Sequence, residues 1–252
     1  MAINRPYRRI CRQFINGKYS LDGGWAYVTH PKYANSPEQY IRAFLLLQKD
    51  MQLLFDYVEP SENNLNCYSY RIHELLLRAS IEIEANFKAI FLENGFTKRG
   101  DMTMDDYKKI EISHRLSSYQ IKIPVWHGFG NVRTPFAAWK EGKPLSWYQA
   151  YNQTKHNRHE AFSMATFENM LDAICGLLIV LSSQFWTHDF APSDTLLSIG
   201  GPNDGMDSAI GSYFRIRFPT DWPEEQRYDF KWQELEKDEN PFDTFDYLKL
   251  SS

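Results

Sequence analysis

Cysteine is scarce in this chain. Cys11, Cys67 and Cys175 are odd in number and far apart, and no Cys-x-x-Cys pair exists. No disulfide framework is implied, and a reducing, cytoplasmic setting fits. Long apolar runs are missing too. The longest, Ala173 to Leu181, is interrupted by Gly176 and falls far short of the roughly 20 residues that cross a bilayer. Arginines near the start are not followed by an apolar stretch, so no secretory signal and no membrane partner are expected. Net charge is small, −4, which excludes a chain that binds polyanions with its whole surface. Ile199-Gly200-Gly201-Pro202-Asn203-Asp204-Gly205 is rich in glycine. It lacks the Gly-Lys-Ser/Thr ending of a phosphate-cradling loop and reads as a linker. There is no Gly-x-Ser-x-Gly, no dinucleotide fingerprint, no kinase set, no repeat and no low-complexity tract.

Aromatic side chains, by contrast, are abundant: seven Trp, fifteen Tyr and seventeen Phe. Most fall inside apolar patterns, which makes them core. Charge is distributed unevenly. Arg5, Arg8, Arg9, Arg12 and Lys18 open the chain without an acid among them, whereas the stretch from Asp221 to Asp246 is acidic. The basic arm can either touch phosphate or pair with that acidic tail.

Helical spacing dominates the middle of the chain. Ser36-Pro37-Glu38 supplies a cap, a first-turn proline and an acid at a helix start, and the apolar stripe runs from Tyr40 to about Val58. A second helix is expected from about Cys67 to Glu93, stopping at Asn94-Gly95. Its apolar stripe from Ile72 to Ile90 is backed by a polar one: Arg71, Glu74, Arg78, Glu82 and Asn86. That stripe is either a salt-bridged surface or, through Arg78 and Glu82, one wall of a cleft. His73 reads as exposed. Asp105 to Ser118 suggests a shorter helix, and Tyr119 to Trp126 a strand. His127 to Lys143 is a long connection that Phe129, Phe136 and Trp139 should pack down. A further helix should open at Ser146, capped by Ser146 and Gln149, and reach Ala165. Thr166 or Ser163 then caps a helix to Phe185 that is apolar nearly all round. Such a helix belongs at the centre of a bundle or at a subunit interface. Near the start, Trp25 to Val28 is a short strand after an Asp22-Gly23-Gly24 turn. Near the end, Ser212 to Phe218 and Tyr228 to Trp232 alternate as a two-stranded hairpin. The divisions are 1–35, a basic arm; 36–190, a helical domain; and 191–252, an extension with the hairpin and acidic tail.

Chemistry concentrates in Ser146 to Phe162, SWYQAYNQTKHNRHEAF. On a helix, Tyr148, Asn152, His156 and His159 share a face by steps of three and four, with Lys155 and Arg158 beside it and Glu160 a turn beyond His156. Three uses follow. An imidazole and a cation suit acid–base chemistry on RNA. His156, His159 and Glu160 have a spacing that can chelate a metal, though not as His-Glu-x-x-His, and with cations alongside. Asn152 and His156 can also fix helix packing through buried hydrogen bonds, with Glu82 as a partner.

The long second helix, the run Ala150-Tyr151-Asn152-Gln153-Thr154-Lys155-His156-Asn157-Arg158 and the very apolar helix after it resemble the HEPN superfamily, over about residues 36–190. That family's ribonuclease motif is an arginine, a polar residue and, a few positions on, a histidine. Asn152 and His156 match; Tyr151 stands in the arginine's place. The resemblance implies a mainly α fold, an up-and-down bundle of about five helices, with the β hairpin outside it. It implies RNA as partner, a homodimer, no cofactor, and a toxin or phage-defence setting. In an active enzyme His156 would move protons and Asn152 would orient it. Lys155 or Arg158 would hold charge, Tyr151 would replace the missing cation, and Arg78, Glu82 and His159 would line the binding surface. The other outcome is a catalytically silent scaffold that dimerises through its last helix.

Overall fold

The computed structural model describes residues 2–15, 25–190 and 205–249. Lys18, the Asp22-Gly23-Gly24 turn and all of the 199–205 linker but Gly205 lie outside them. The chain is mainly α, with one small antiparallel sheet.

Helix α1 (Pro37–Phe55) starts at the expected proline, with Glu38 in its first turn. Ser36, however, takes a left-handed φ of 47° and its hydroxyl makes no cap bond; the helix stops at Phe55, short of Val58. Helix α2 (Tyr70–Glu93) begins three residues after Cys67 because Ser69 supplies the cap, its Oγ accepting from the Ile72 amide at 3.2 Å. Its end follows from Asn94-Gly95. Gly95 takes φ +76°, its N–H donates to the Leu92 carbonyl, and Phe96 N–H donates to the Phe91 carbonyl at 2.9 Å. This 6→1 and 5→2 pattern is sealed by the Phe96 ring, 4.6 Å from that of Phe91.

The segment expected as one helix over 105–118 is instead broken into α3 (Met104–Tyr107), α4 (Ile110–His114) and a 3-10 turn at Leu116–Ser118, with Arg115 left-handed between the last two. Strand β1 (Gln120–Lys122) follows, then β2 (Val132–Arg133). The loop between them is pinned by Glu62, whose carboxylate accepts from Trp126 Nε1 at 3.0 Å and the Gly130 amide at 2.5 Å. Those bonds hold its pKa down to about 2. Gly128 has φ +119°, and a Cβ there would lie 2.1 Å from a Glu62 oxygen, so only glycine fits. Phe136 and Trp139 pack down as expected, but Phe129, at the tip of this pinned loop, is fully exposed.

Helix α5 (Ser146–His156) leads through α6 (Arg158–Ala161) and a 3-10 turn (Phe162–Met164) into α7 (Phe167–Phe185). Thr166 caps α7, its Oγ1 accepting from the Asn169 amide. The apolar residues of α7 are buried all round by α1, α2, α5 and β1 of the same chain. Each large one contributes roughly 1.5–3 kcal/mol of gross hydrophobic stabilisation. This helix is therefore the centre of the fold and has no free apolar face with which to dimerise.

The sheet joins distant parts of the sequence. After β3 (Asp207–Ser208) and β4 (Arg215–Arg217), the strand order is β2-β1-β4-β3, with Gln120 opposite Arg217. The expected hairpin is thus corrected: β4 pairs with β3 and β1, and not with 228–232. Tyr228 is buried among Phe14, Tyr27 and Phe230. It makes bridges to Ile3 and Phe14, while its hydroxyl donates to the Ile10 carbonyl. Trp232 opens α8 (Trp232–Leu235). The alternation there comes from rings closing over the N-terminal arm.

That arm is woven into the body. Residues Ala26–Thr29 form a 3-10 turn where a strand was expected. Arg5 meets Asp238 at 2.8 Å. Arg8 and Arg9 both meet Glu93 at 2.6 Å, and Arg12 is buried over the Trp222 ring. Among the described residues no helix is long and apolar enough to cross a membrane.

Candidate functional site

Helix α5 is fixed by its inner face. Trp147, Ala150, Tyr151 and Thr154, spaced by three and four, are buried against α7 and α2. Trp147 Nε1 donates to the Pro135 carbonyl at 3.0 Å. The helix begins without the expected capping box: Leu145 occupies the cap position, Ser146 is already helical, and no side chain caps the end.

Helix geometry then divides the expected site in two. Asn152 and His156 lie on the outward side and line an open groove of about 570 Å³ with Gln153, Asn157, Glu160, Ala161 and Met164. His156 is exposed there. Tyr148, which should share their face, is turned inward by the drift of about 40° that each step of four residues brings. Its hydroxyl donates to Glu84 at 2.8 Å.

Tyr151 is fully buried. Its ring centroid lies 5.4 Å from that of Tyr148, and its phenol accepts from Lys155 Nζ at 3.0 Å. The ammonium also sits over the Tyr151 ring, 5.1 Å from the centroid. Burial raises the phenol's pKa against the pull of Lys155, and the same hydrogen bond raises that of Lys155. A neutral phenol and a tethered cation result, and neither residue lines the groove. Glu84 was not singled out in the sequence, yet it is the carboxylate that α2 offers to α5. It lies about 200° around the helix from Glu82, and its charge, after burial, helps push the Tyr107 phenol up to about 12.

Arg78 and Glu82 are elsewhere. Arg78 reaches Asp50 of α1 at 2.5 Å and Glu74 at 3.6 Å. Glu82 is half-buried next to it, its carboxyl pushed up by burial and pulled back by Arg78. Arg78 ties α2 to α1, and neither residue lines the groove of His156. Asn86 is buried and accepts from Gln184 at 3.0 Å.

The expected continuous helix to Ala165 breaks at Asn157, with φ −136° and ψ 61°. Its amide closes the last turn of α5 on the Gln153 carbonyl, and its carbonyl starts α6 by accepting from Ala161. Its side chain donates to Glu160 at 2.5 Å. His159 is exposed on this separate turn, so the spacing needed for chelation is not realised. Among the described residues no three His, Cys, Asp or Glu side chains gather as a metal site. Arg158, also exposed, begins α6. His73 corrects another expectation, being buried with only 6% of its surface exposed. It packs edge-on against Phe162 at 5.7 Å, and burial followed by the charge of Arg158 lowers its pKa.

The site as built is an imidazole and an amide on a rigid helix, open to a groove, with Arg158 and His159 on the next turn. Comparison of the chain with protein-family models, curated proteins and solved structures finds no significant match.

Proposed function

We propose that the chain is a HEPN-like protein that acts on RNA at the α5–α6 groove, with His156 as the acid–base group. The observation that carries this reading is the pairing of His156 with Asn152 on the groove wall, on a helix whose opposite face is locked in the core. An imidazole titrates near neutrality and can take the proton of a 2′-hydroxyl. Asn152, one turn earlier, can hold a phosphate oxygen. Arg158, a guanidinium, and His159 follow on α6 and are exposed.

A second reading, that of a silent RNA sensor, is favoured by Tyr151. The residue in the family's arginine position is buried and carries no charge, and the ammonium beside it is bound to its phenol. In that case the groove has no fixed cation to stabilise a developing phosphorane.

Purified protein incubated with transfer RNA in EDTA separates the two. An enzyme cleaves it, and His156→Ala slows cleavage by about 10²- to 10⁴-fold. A sensor retains RNA on a filter without cutting it, whether or not His156 is present. Absence of both cleavage and retention rejects the RNA reading.

A further inference from the structure

Phe162 meets three other rings. Tyr70 lies over it at 4.7 Å with 39° between planes, Tyr68 meets it edge-on at 5.6 Å, and His73 edge-on at 5.7 Å. Burial of an aromatic cluster normally hides its members, but here Tyr70 is 71% exposed and Tyr68 51% exposed. The rings are nonetheless held in place. Tyr70 is the first residue of α2, next to the capping Ser69. Tyr68 bridges to Thr166 at the start of α7. His73, sealed beneath, keeps a buried Nε2 with no hydrogen-bond partner. A buried polar atom left unpaired is uncommon and calls for a ligand or another explanation. Arg158 is close enough for its charge to act on the His73 ring. Met164, two residues beyond Phe162 in the same 3-10 turn, lines the groove of His156, so rings and groove share a wall.

We propose that Tyr70, Phe162 and Tyr68 form a stacking platform for an unpaired RNA base, with Arg158 taking the adjoining phosphate. This rests on the reading of the chain as a protein that acts on RNA, and it narrows the substrate to single strands. Tyrosine faces stack on any base at little entropic cost, and a neighbouring guanidinium supplies the backbone charge. A duplex keeps its base faces covered and gains nothing from the platform.

Fluorescence anisotropy tests it, with a labelled twelve-nucleotide single-stranded RNA and the same strand in duplex form. Tyr70→Ala should weaken single-strand binding roughly 5- to 150-fold, the range for loss of one stacked base. Tyr70→Phe, which keeps the ring, should bind as wild type, and duplex affinity should be the same in all three proteins. Arg158→Ala should lower the slope of log affinity against log salt by about 0.7, one phosphate of a single strand. Single-strand binding unaffected by Tyr70→Ala overturns the platform while leaving the RNA reading intact. No RNA binding by the wild-type protein overturns both. If Tyr70→Ala leaves RNA binding unchanged and instead shifts the sedimentation coefficient, the rings are an interface between copies and the platform is rejected. Tyr70 projects into solvent, so circular dichroism should show every variant folded.

Discussion

Arg9 has no exposed surface, yet it lies near the start of a stretch that reads as a loose basic arm. Its fork is filled. Nε donates to Glu93 at 2.6 Å, one terminal nitrogen to Gln184 at 2.8 Å, and the other to the Asn35 carbonyl at 2.8 Å. The guanidinium also lies over the Tyr40 ring. A buried pair is costly to desolvate and costlier to break, since one partner then remains charged and alone. Glu93→Ala should therefore lower stability by about 3–5 kcal/mol, read from the urea midpoint. The double replacement Arg9→Met with Glu93→Leu should recover much of that loss. A loss below about 1 kcal/mol for Glu93→Ala would mean that the pair is effectively solvated. The arm's pairing was half legible in the sequence: Arg5 does find the acidic tail at Asp238. Arg9 could not be placed, because residue type argues against burial unless a partner is known, and Glu93 lies 84 residues away. Glu84 and His73 were missed for a related reason. Both belong to α2, and only the position of α5 and the Phe162 turn decides which flank of α2 is covered.

Among the elements, the long helices were legible because their signals are local. Pro37 and Glu38 mark one start, Thr166 another, and Asn94-Gly95 a stop, while the apolar spacing gives each buried face. The break after His156 was not legible, since neither glycine nor proline marks it; Asn157 turns the chain with an ordinary negative φ. The sheet was not legible either. Its strands are two or three residues long, and Gln120 pairs with Arg217 almost a hundred residues on. Alternation can suggest a strand, but it does not name a partner. Gly176 presents a different test. It sits mid-helix in α7, where glycine costs about 1 kcal/mol relative to alanine. A Cβ there would meet Ile83, Phe136 and Trp147 at 3.5–3.6 Å, ordinary contact distances. Gly176→Ala should thus be neutral or raise stability by up to about 1 kcal/mol. A drop in melting temperature would show that α2, the Phe136 turn and α5 are packed against α7 too tightly to yield.

Across the whole molecule, the two ends of the chain are tied to the helical body through His114. Its Nε2 faces the Arg9 carbonyl at 2.9 Å, and a carbonyl can only accept, so Nε2 carries the proton. Nδ1 lies 2.7 Å from Ser113 Oγ, and that hydroxyl also donates to the Ile110 carbonyl at 3.0 Å and lies 2.7 Å from the Tyr247 hydroxyl. Arm, α4 and C-terminal segment are joined by these hydrogen bonds. Complete burial keeps the imidazole uncharged, holding its pKa at about 3 against an ordinary 6.5. Between those values the unfolded chain binds a proton that the folded one refuses. The stabilising contribution is therefore complete above about pH 6.5 and is lost as pH falls towards 3, at up to about 1.4 kcal/mol per pH unit. His73 and His30, also lowered by burial, act in the same sense. Glu111 and Asp172, raised by burial, act in the opposite one. The imidazole is isolated by difference. His114→Asn should be less stable than wild type at pH 7.5, and the gap should narrow steadily in urea melts taken from pH 6.5 down to 5. A gap that stays constant over that interval would show that His114 titrates alike in the folded and unfolded chain, and that something other than a neutral imidazole joins the two ends.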